Sequence, residues 1–492
     1  MSFQRGFACI LCGNVFSVEE KRASCPSCGG RPIVDYDYES IGKELSRDKI
    51  TARPSGVWRY QELLPVLKRR SIVSLGEGDT YLHRATRLGE KIGLRNLLVK
   101  DETTNPTGSF VDRGVTVEVS KAKELGYNST VCGTTGNLGA SLAAYSAKAG
   151  LKCRIFLPRR IDVGKFYQMI AFGADVDAAR DYEEAFSKAS SLGDRSYLAS
   201  PADPYFLEGL KTTGYEICEQ IGWKLPRNIV VPMGDGGHLS MIWRGINELT
   251  SIGFLDQADV RMIGVQAQGA APIVKAFLDK ETHVKPLRTS RTLAPDIDIK
   301  RPIHGDLAIK ALTQSKGIAM SMPDGTILDA ASLLAKTEGI FTEPASASTI
   351  ASLRRLVDDG DIDKNEVTVC VLTGMGLKDP SSAKRLIKGR KRVEKLFERF
   401  GEHTIAAGIT GTKLHILRML SENKCHGYGL WKNLRTRYEL QISLPSVYQH
   451  LNELETMKLI ERTSANRESG RQRQYYIATH KGKMILKGTA SA

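Results

Sequence analysis

Four cysteines near the start of the chain carry the plainest chemistry in the sequence. They are spaced Cys9-x2-Cys12, then twelve residues, then Cys25-x2-Cys28, with Gly13 after the first pair and Gly29 and Gly30 after the second. Two such knuckles bring four thiolates to the corners of a tetrahedron, the arrangement a zinc ion takes. The glycines permit the tight turns that aim backbone N–H groups at the sulfurs. With sulfur at every corner no position is left for water or substrate, so the expected zinc is structural; a redox dithiol pair is the competing reading. The other five cysteines, Cys132, Cys153, Cys218, Cys370 and Cys425, are scattered. They are expected as small core residues and not as a secreted disulfide framework.

The second group with a chemistry of its own is basic. From Ser381 onward there are 22 Lys and Arg against 9 Asp and Glu, so that stretch carries +13 of the chain's net +15. A nearly neutral body with a strongly basic tail favours a polyanionic partner, because neutralising phosphates releases counterions. Within the tail, Leu414, Ile416, Leu417 and Leu420 recur at helical spacing, and His426 to Leu430 open a second helix. Ser443 or Pro445 begins a third, with Val447, Tyr448, Leu451 and Leu454 expected to face inward. Two strands then flank a basic hairpin from Arg462 to Arg473. Three helices and a wing make the winged helix-turn-helix plan, with the third helix offered to the major groove. A wing used for protein contacts is the blander alternative.

The elements between these ends alternate. Short β-rich runs (NLLVK, STVCG, CRIFLP, RNIVVPMG, VRMIGVQA, VTVCVLTG) are separated by Ala-rich helical stretches such as LGASLAAYSAKAG and MIWRGINELTSIGF. Runs buried on both faces and joined by helices imply parallel sheets in an α/β domain. The expected division is a zinc ribbon at 1–40, an α/β body at 50–383, a basic linker helix at 384–404 and a winged-helix domain at 405–492. No run of eighteen apolar residues suggests a membrane span, and MSFQRGFACI is unlike a secretory leader, so a cytoplasmic location is expected.

The stretch LLVKDETTNPTGSFVDRG, followed in order by GTTGNLGASLAAYSAKAG, LEGLKT, VPMGDGGH, EGIFTEPASAS and VCVLTGMGLKDP, resembles threonine synthase. Threonine synthase is a pyridoxal-phosphate (PLP) enzyme of the tryptophan-synthase-β type (fold type II), with parallel sheets and flanking helices, and many members carry a similar zinc knuckle. The resemblance also marks a departure. The family segment reads Ser-Phe-Lys-Asp-Arg-Gly, and its lysine both attaches the cofactor and moves the substrate's α-proton. Here Val111 stands in that place, and a valine has no nitrogen for either task. Lys100, eleven positions upstream, and Lys211, in a helical run, each fit a motif of their own.

By the same resemblance, Gly234, Asp235, Gly236, Gly237 and His238 form the cup for the cofactor phosphate. Asp235 replaces a common asparagine and brings a carboxylate to it. Asn137 falls beside the cofactor hydroxyl and Thr373 at the pyridine nitrogen. Thr134, Thr135 and Gly136 form the loop that holds a substrate carboxylate. Phe206 takes the place of an arginine that binds the substrate phosphate, and phenylalanine cannot donate the paired hydrogen bonds of a guanidinium. One engineered trapping substitution would leave the rest of the site unchanged, so the additional departures at Phe206 and Asp235 favour inherited loss. What the resemblance leaves is a pocket for an amino-acid-like ligand or a PLP adduct, with no cofactor bound through the usual lysine.

The order GY…SVYQHLNELE…LI…GRQRQYYIAT…GK resembles the PadR family of transcription regulators. That resemblance places Ser446, Gln449, His450 and Asn452 near base edges of double-stranded DNA, and Arg467, Arg471 and Arg473 near phosphate or the minor groove. Two-fold DNA sites favour dimers, and little chain follows KGKMILKG, so a homodimer formed through the body is expected. Three functions follow: a regulator whose body senses a ligand, an active threonine-synthase-like lyase with a displaced lysine and an accessory tail, or an inert body used as a scaffold.

Overall fold

The structure, a computed structural model, describes residues 3–17, 24–159, 161–382, 411–440, 442–468 and 471–489, with backbone alone for 464–468, 471–473 and 487–489. The expected linker helix at 384–404 lies outside the described residues. The chain forms two compact units that divide between Leu386 and Ile387.

In the first unit, β1 (Gln4–Cys9) pairs antiparallel with β2 (Val15–Phe16) and β3 (Pro32–Tyr36). This small sheet has no core of its own. Phe7, Phe16, Val34 and Tyr36 share one apolar cluster with Tyr215, Ile217, Ile242 and Ile246 of the α/β body. The Tyr36 hydroxyl donates to Glu208 at 2.9 Å, and Lys310 Nζ donates to the Ile10 carbonyl at 3.1 Å.

The body holds two sheets. The larger runs β12 (Ile318–Met322), β11 (Arg261–Ala267), β10 (Asn228–Pro232), β13 (Thr368–Leu372), β5 (Leu97–Asp101), β4 (Leu82–Arg84), parallel except for the β4 edge. The smaller runs β8 (Asp175–Ala179), β7 (Lys152–Pro158), β6 (Ser129–Gly133), β9 (Tyr197–Leu198), all parallel. Alternation along the central strands divides the core. Ile229, Val231, Val369 and Val371 face one cluster, while Val230, Cys370 and Leu372 face another. All six β-rich runs read from the sequence are strands; β4, β8, β9 and β12, which are short or lie at sheet edges, were not among them.

The helix Val111–Glu124 packs at the heart of the body, buried from Val111 to Ala122. Two charged residues in its first turn are fully satisfied. Asp112 accepts from the Thr107 backbone N–H and hydroxyl and from Ser141 at 2.6–2.7 Å. Arg113 spreads its donors over Glu102, Glu216, Thr80 and Thr212 at 2.5–3.1 Å. Lys100 joins the same network through Glu216 at 2.8 Å, and Lys211 pairs with Glu208 and Glu248. Two buried cations thus meet two buried carboxylates around Arg113, and losing one partner from such a set costs about 3–5 kcal/mol. The Asp-Arg-Gly part of the motif is therefore architectural.

The second unit is a winged helix. Helices Thr412–Glu422, Gly427–Arg437 and Leu444–Thr456 precede β15 (Ile460–Glu468) and β16 (Arg471–Ala478), and helix His480–Thr489 follows. A short β14 (Cys425–His426) pairs with β16. Ile416, Leu420, Leu430, Leu434, Val447, Leu451 and Leu454 form its separate core. Among the described residues no helix is long and apolar enough to cross a membrane.

Candidate functional site

The residues singled out in the body converge at the carboxyl ends of β5, β6, β10 and β13, where α/β sheets place their ligands. Hydrogen bonds lace the loops together. Phe110 N–H donates to the Thr373 carbonyl at 3.0 Å, Met375 N–H to Gly108 at 2.9 Å, and Glu343 N–H to Gly374 at 2.9 Å. Val111 begins its helix directly after this loop and is 7% exposed, packed in an apolar cluster with Val115, Leu138, Leu207 and Phe206. Phe206 lies against Gly114, where an added Cβ would come within 2.3 Å of the ring. Two of the three departures noted in the sequence, Val111 and Phe206, are thus members of one apolar cluster.

After β10 the turn Gly234–Gly237 leads into helix Gly237–Ser251. Gly236 has φ +94°, and a Cβ there would lie 2.8 Å from the His304 carbonyl, so a side chain is excluded twice over. The Asp235 carboxylate is held by the Ile303 N–H at 2.5 Å and by a close contact to His304 Nδ1. Against the cost of burial, these partners keep Asp235 below the usual carboxylate range. His238 turns the other way. Its ring stacks on Phe110 at 4.2 Å and its Nε2 meets the Thr213 hydroxyl at 3.0 Å. Burial lowers it to about 3, so it is neutral.

After β6, Thr134 accepts from the Gly136 N–H at 3.1 Å, Thr135 is exposed, and Asn137 starts helix Asn137–Ala149. Asn137 Nδ2 donates to Asp296 and Glu343 at 3.1–3.4 Å, and its Oδ1 is buried without a partner. The Thr373 hydroxyl meets Ser346 Oγ at 3.0 Å.

Two lysines that sequence reasoning missed reach this pocket. Lys165, 1% exposed, pairs with Asp296 at 2.7 Å and Glu343 at 2.9 Å. Lys378 Nζ donates to the Thr107 carbonyl at 2.6 Å. Burial opposes the charge on Lys165, but the two carboxylates outweigh it and raise its pKa. Glu343 is pushed up to about 7 by burial and by Asp296, in spite of Lys165. Lys165 could have been found from phase, since it sits four residues before the buried Met169 in VGKFYQMI and so on the inner face of that helix.

The four N-terminal cysteines come together. Cys9 and Cys28 lie 3.4 Å apart at sulfur, Cys12 and Cys25 3.7 Å, and all four sulfurs fall within 4.8 Å of one another. Zn–S bonds of about 2.3 Å in a tetrahedron separate sulfurs by roughly 3.8 Å, so the donor set and its spacing fit zinc. Gly13 N–H donates to the Cys9 carbonyl and Gly29 N–H to the Cys25 carbonyl, closing the two knuckle turns.

On the third helix of the winged unit, capped by Ser443, Gln449 and Asn452 share an exposed face with Pro445, Tyr448 and Thr456. Ser446 is taken up in the cap, and the half-buried His450 lies on the flank beside Glu453. Tyr448 corrects the expectation of an inward ring. It is 43% exposed, and its ring lies over Gly427, where a Cβ would come within 2.6 Å of it, so it rests on the helix surface beside the buried stripe. The side chains of Arg467, Arg471 and Arg473 lie outside the described residues, although their backbones pair across β15 and β16.

Residues 73–374 match the family model for pyridoxal-phosphate dependent enzymes. The chain belongs to this family. A threonine synthase of Methanocaldococcus jannaschii is 43% identical over 390 residues, 78% of this chain and 96% of that protein. One of Methanosarcina acetivorans is 42% identical over 378 residues, 76% of this chain and 92% of that protein. Among solved structures, an L-serine ammonia-lyase from Rhizomucor miehei shares the fold, with TM-score 0.56 at 19% identity over 63% of this chain and 98% of its own. Residues 416–488 match the PadR-like family of transcriptional regulators.

Membership in the PLP-dependent family implies pyridoxal phosphate between these loops, and the residues present can be tested against it. Position 111, where the resemblance puts the attachment lysine, carries the apolar side chain of Val111. Of the two lysines that reach the pocket, Lys165 is locked between carboxylates and Lys378 donates to a backbone carbonyl. The turn Gly234–Gly237, which the resemblance makes the phosphate cup, carries the Asp235 carboxylate, and Asn137 donates to Asp296 and Glu343. A lysine-linked cofactor does not fit this set.

Proposed function

We propose that this chain is a DNA-binding transcription regulator whose PLP-family body holds an amino-acid-like ligand without transforming it. The observation that carries the reading is the packing of Val111 and Phe206 in one apolar cluster, which leaves neither an amine nor a guanidinium there. Recognition elements remain. The loop Thr134–Gly136 leads into an N-terminus with no side-chain cap, and free backbone N–H groups at such an end attract a carboxylate. The PadR-like unit with its basic charge supports duplex DNA as partner. A homodimer, formed through the body, would match two-fold sites.

The 43% identity to a threonine synthase favours a second reading, an active lyase working through Lys165. That lysine is held charged by Asp296 and Glu343, and a nucleophile needs the free amine.

Gel shifts on the DNA upstream of the chain's own gene test the regulator reading. Binding should weaken about a hundredfold or more between roughly 50 and 200 mM salt, as several phosphate contacts require. It should also shift with O-phosphohomoserine, threonine or PLP, because a ligand acts only by differing in affinity for two states. A ligand-independent shift would leave a scaffold, and no binding at any salt would remove the DNA reading.

A further inference from the structure

The third helix of the winged unit, Leu444–Thr456, reads LPSVYQHLNELET. Its two carboxylates, Glu453 and Glu455, have no Lys or Arg of the same helix to balance them, although the chain from Ser381 onward carries +13. Phosphates flank the groove that such a helix enters, and bare carboxylates would be repelled there. Both are neutralised from outside the helix. Lys413 Nζ lies 2.8 Å from Glu453, and Arg462 donates to Glu455 at 2.9 and 3.2 Å. Cations for the DNA backbone are exposed on the preceding helix instead, at Lys432, Arg435 and Arg437.

The outer face of the third helix offers amides and apolar surface. Pro445, Tyr448, Gln449, Asn452 and Thr456 recur at helical spacing, all exposed, and with Glu453 they line a shallow groove. Gln449 Nε2 donates to Glu453 Oε1 at 3.1 Å, so Lys413 steadies Glu453 and Glu453 steadies Gln449, whose carbonyl is left as an acceptor. Asn452 gives only its backbone carbonyl, to the Thr456 hydroxyl at 2.8 Å; among the described residues no partner holds its side-chain amide.

In the major groove guanine shows two acceptors, which Arg or Lys meets with paired donors. This helix has neither residue. Adenine shows an acceptor beside a donor, N7 and the N6 amino group, and a free carboxamide matches both at once. Asn452 is such a carboxamide. The Gln449 carbonyl can accept from an adenine or a cytosine amino group, and the Tyr448 ring and Pro445 suit a thymine methyl.

We infer that Asn452 sets the operator choice of this chain by taking an adenine, with a thymine methyl beside it against Tyr448 and Pro445. Lys432 and its neighbours hold the helix to the backbone without choosing sequence. The inference rests on the DNA-binding reading above and names the base pair that reading leaves open.

The test is selection from randomised duplexes by the full chain, followed by competition gel shifts on single-pair variants of the selected site. The selected sites should share an A·T pair whose replacement weakens binding about tenfold or more, as the loss of one paired amide contact does. Asn452→Ala should lose that discrimination without a lower melting temperature, since its side chain is exposed. Lys432→Ala should weaken every duplex alike, keep the A·T preference and reduce the salt slope by about one. Duplexes bound by wild type with no A·T preference, or with that preference intact in Asn452→Ala, would overturn the inference and leave the regulator reading standing. Failure of the full chain to retain any duplex at low salt would remove both.

Discussion

At position 111 a lysine would need an amine-accepting partner and open space; valine needs only apolar neighbours, and Phe206, Val115 and Leu138 provide them. Restoring the amine alone leaves the Asp235 carboxylate in the cup. Val111→Lys supplied with PLP should therefore give little of the visible band that borohydride fixes to a lysine, whereas Val111→Lys with Asp235→Asn should give clearly more. Equal bands in the two variants would show that Asp235 does not oppose a phosphate. A second residue-scale consequence concerns Glu343. Its folded pKa, about 7, lies above the ordinary 4.5, so between those values the native state binds more protons than the unfolded chain. Stability contributed by the protonated form is present at low pH and lost as pH rises through 7. The body's melting temperature should fall from about pH 5 to 7, by a stability difference of up to about 2 kcal/mol, and this slope should flatten in Glu343→Gln. Parallel profiles would remove Glu343 as the titrating group. Neither lysine of the pocket stood out in the sequence, because nothing in a helix such as VGKFYQMI says which carboxylates, more than a hundred residues away, its lysine will meet.

At the scale of elements, much was legible. Short β-branched apolar runs such as NIVVP and VTVCVL suit strands with both faces covered, and so they are. Edge strands such as Leu82–Arg84 carry no such pattern, since one side has no partner to demand it. The spacing of the four N-terminal cysteines foretold the sulfur cluster but not how firmly its sheet is built into the body. Because Phe7, Phe16 and Val34 share their apolar cluster with the body's helices, loss of metal should not stay local. Chelator should lower the melting temperature of the whole first unit, with the released zinc matching one ion per chain. A chelator that frees zinc and leaves that melting temperature in place would mean the knuckle is peripheral. Tyr448 shows the limit of helical phase: it borders the buried stripe of Val447, Leu451 and Leu454, and its ring rests over Gly427 instead of joining them.

For the whole molecule, a body of the PLP-dependent family with valine at position 111 is joined to a unit that matches a transcription-regulator family. The charge division fits the pairing, since +13 of the net +15 lies from Ser381 onward. Catalysis asks for an amine at the cofactor, and recognition asks only for a shaped, polar pocket. The most direct measurement is turnover by the wild-type chain, purified, supplied with PLP and O-phosphohomoserine, and assayed for threonine and phosphate. No product should form above the protein-free control. Steady formation of threonine and phosphate in equal amounts, lost in Lys165→Met, would make the chain a working lyase.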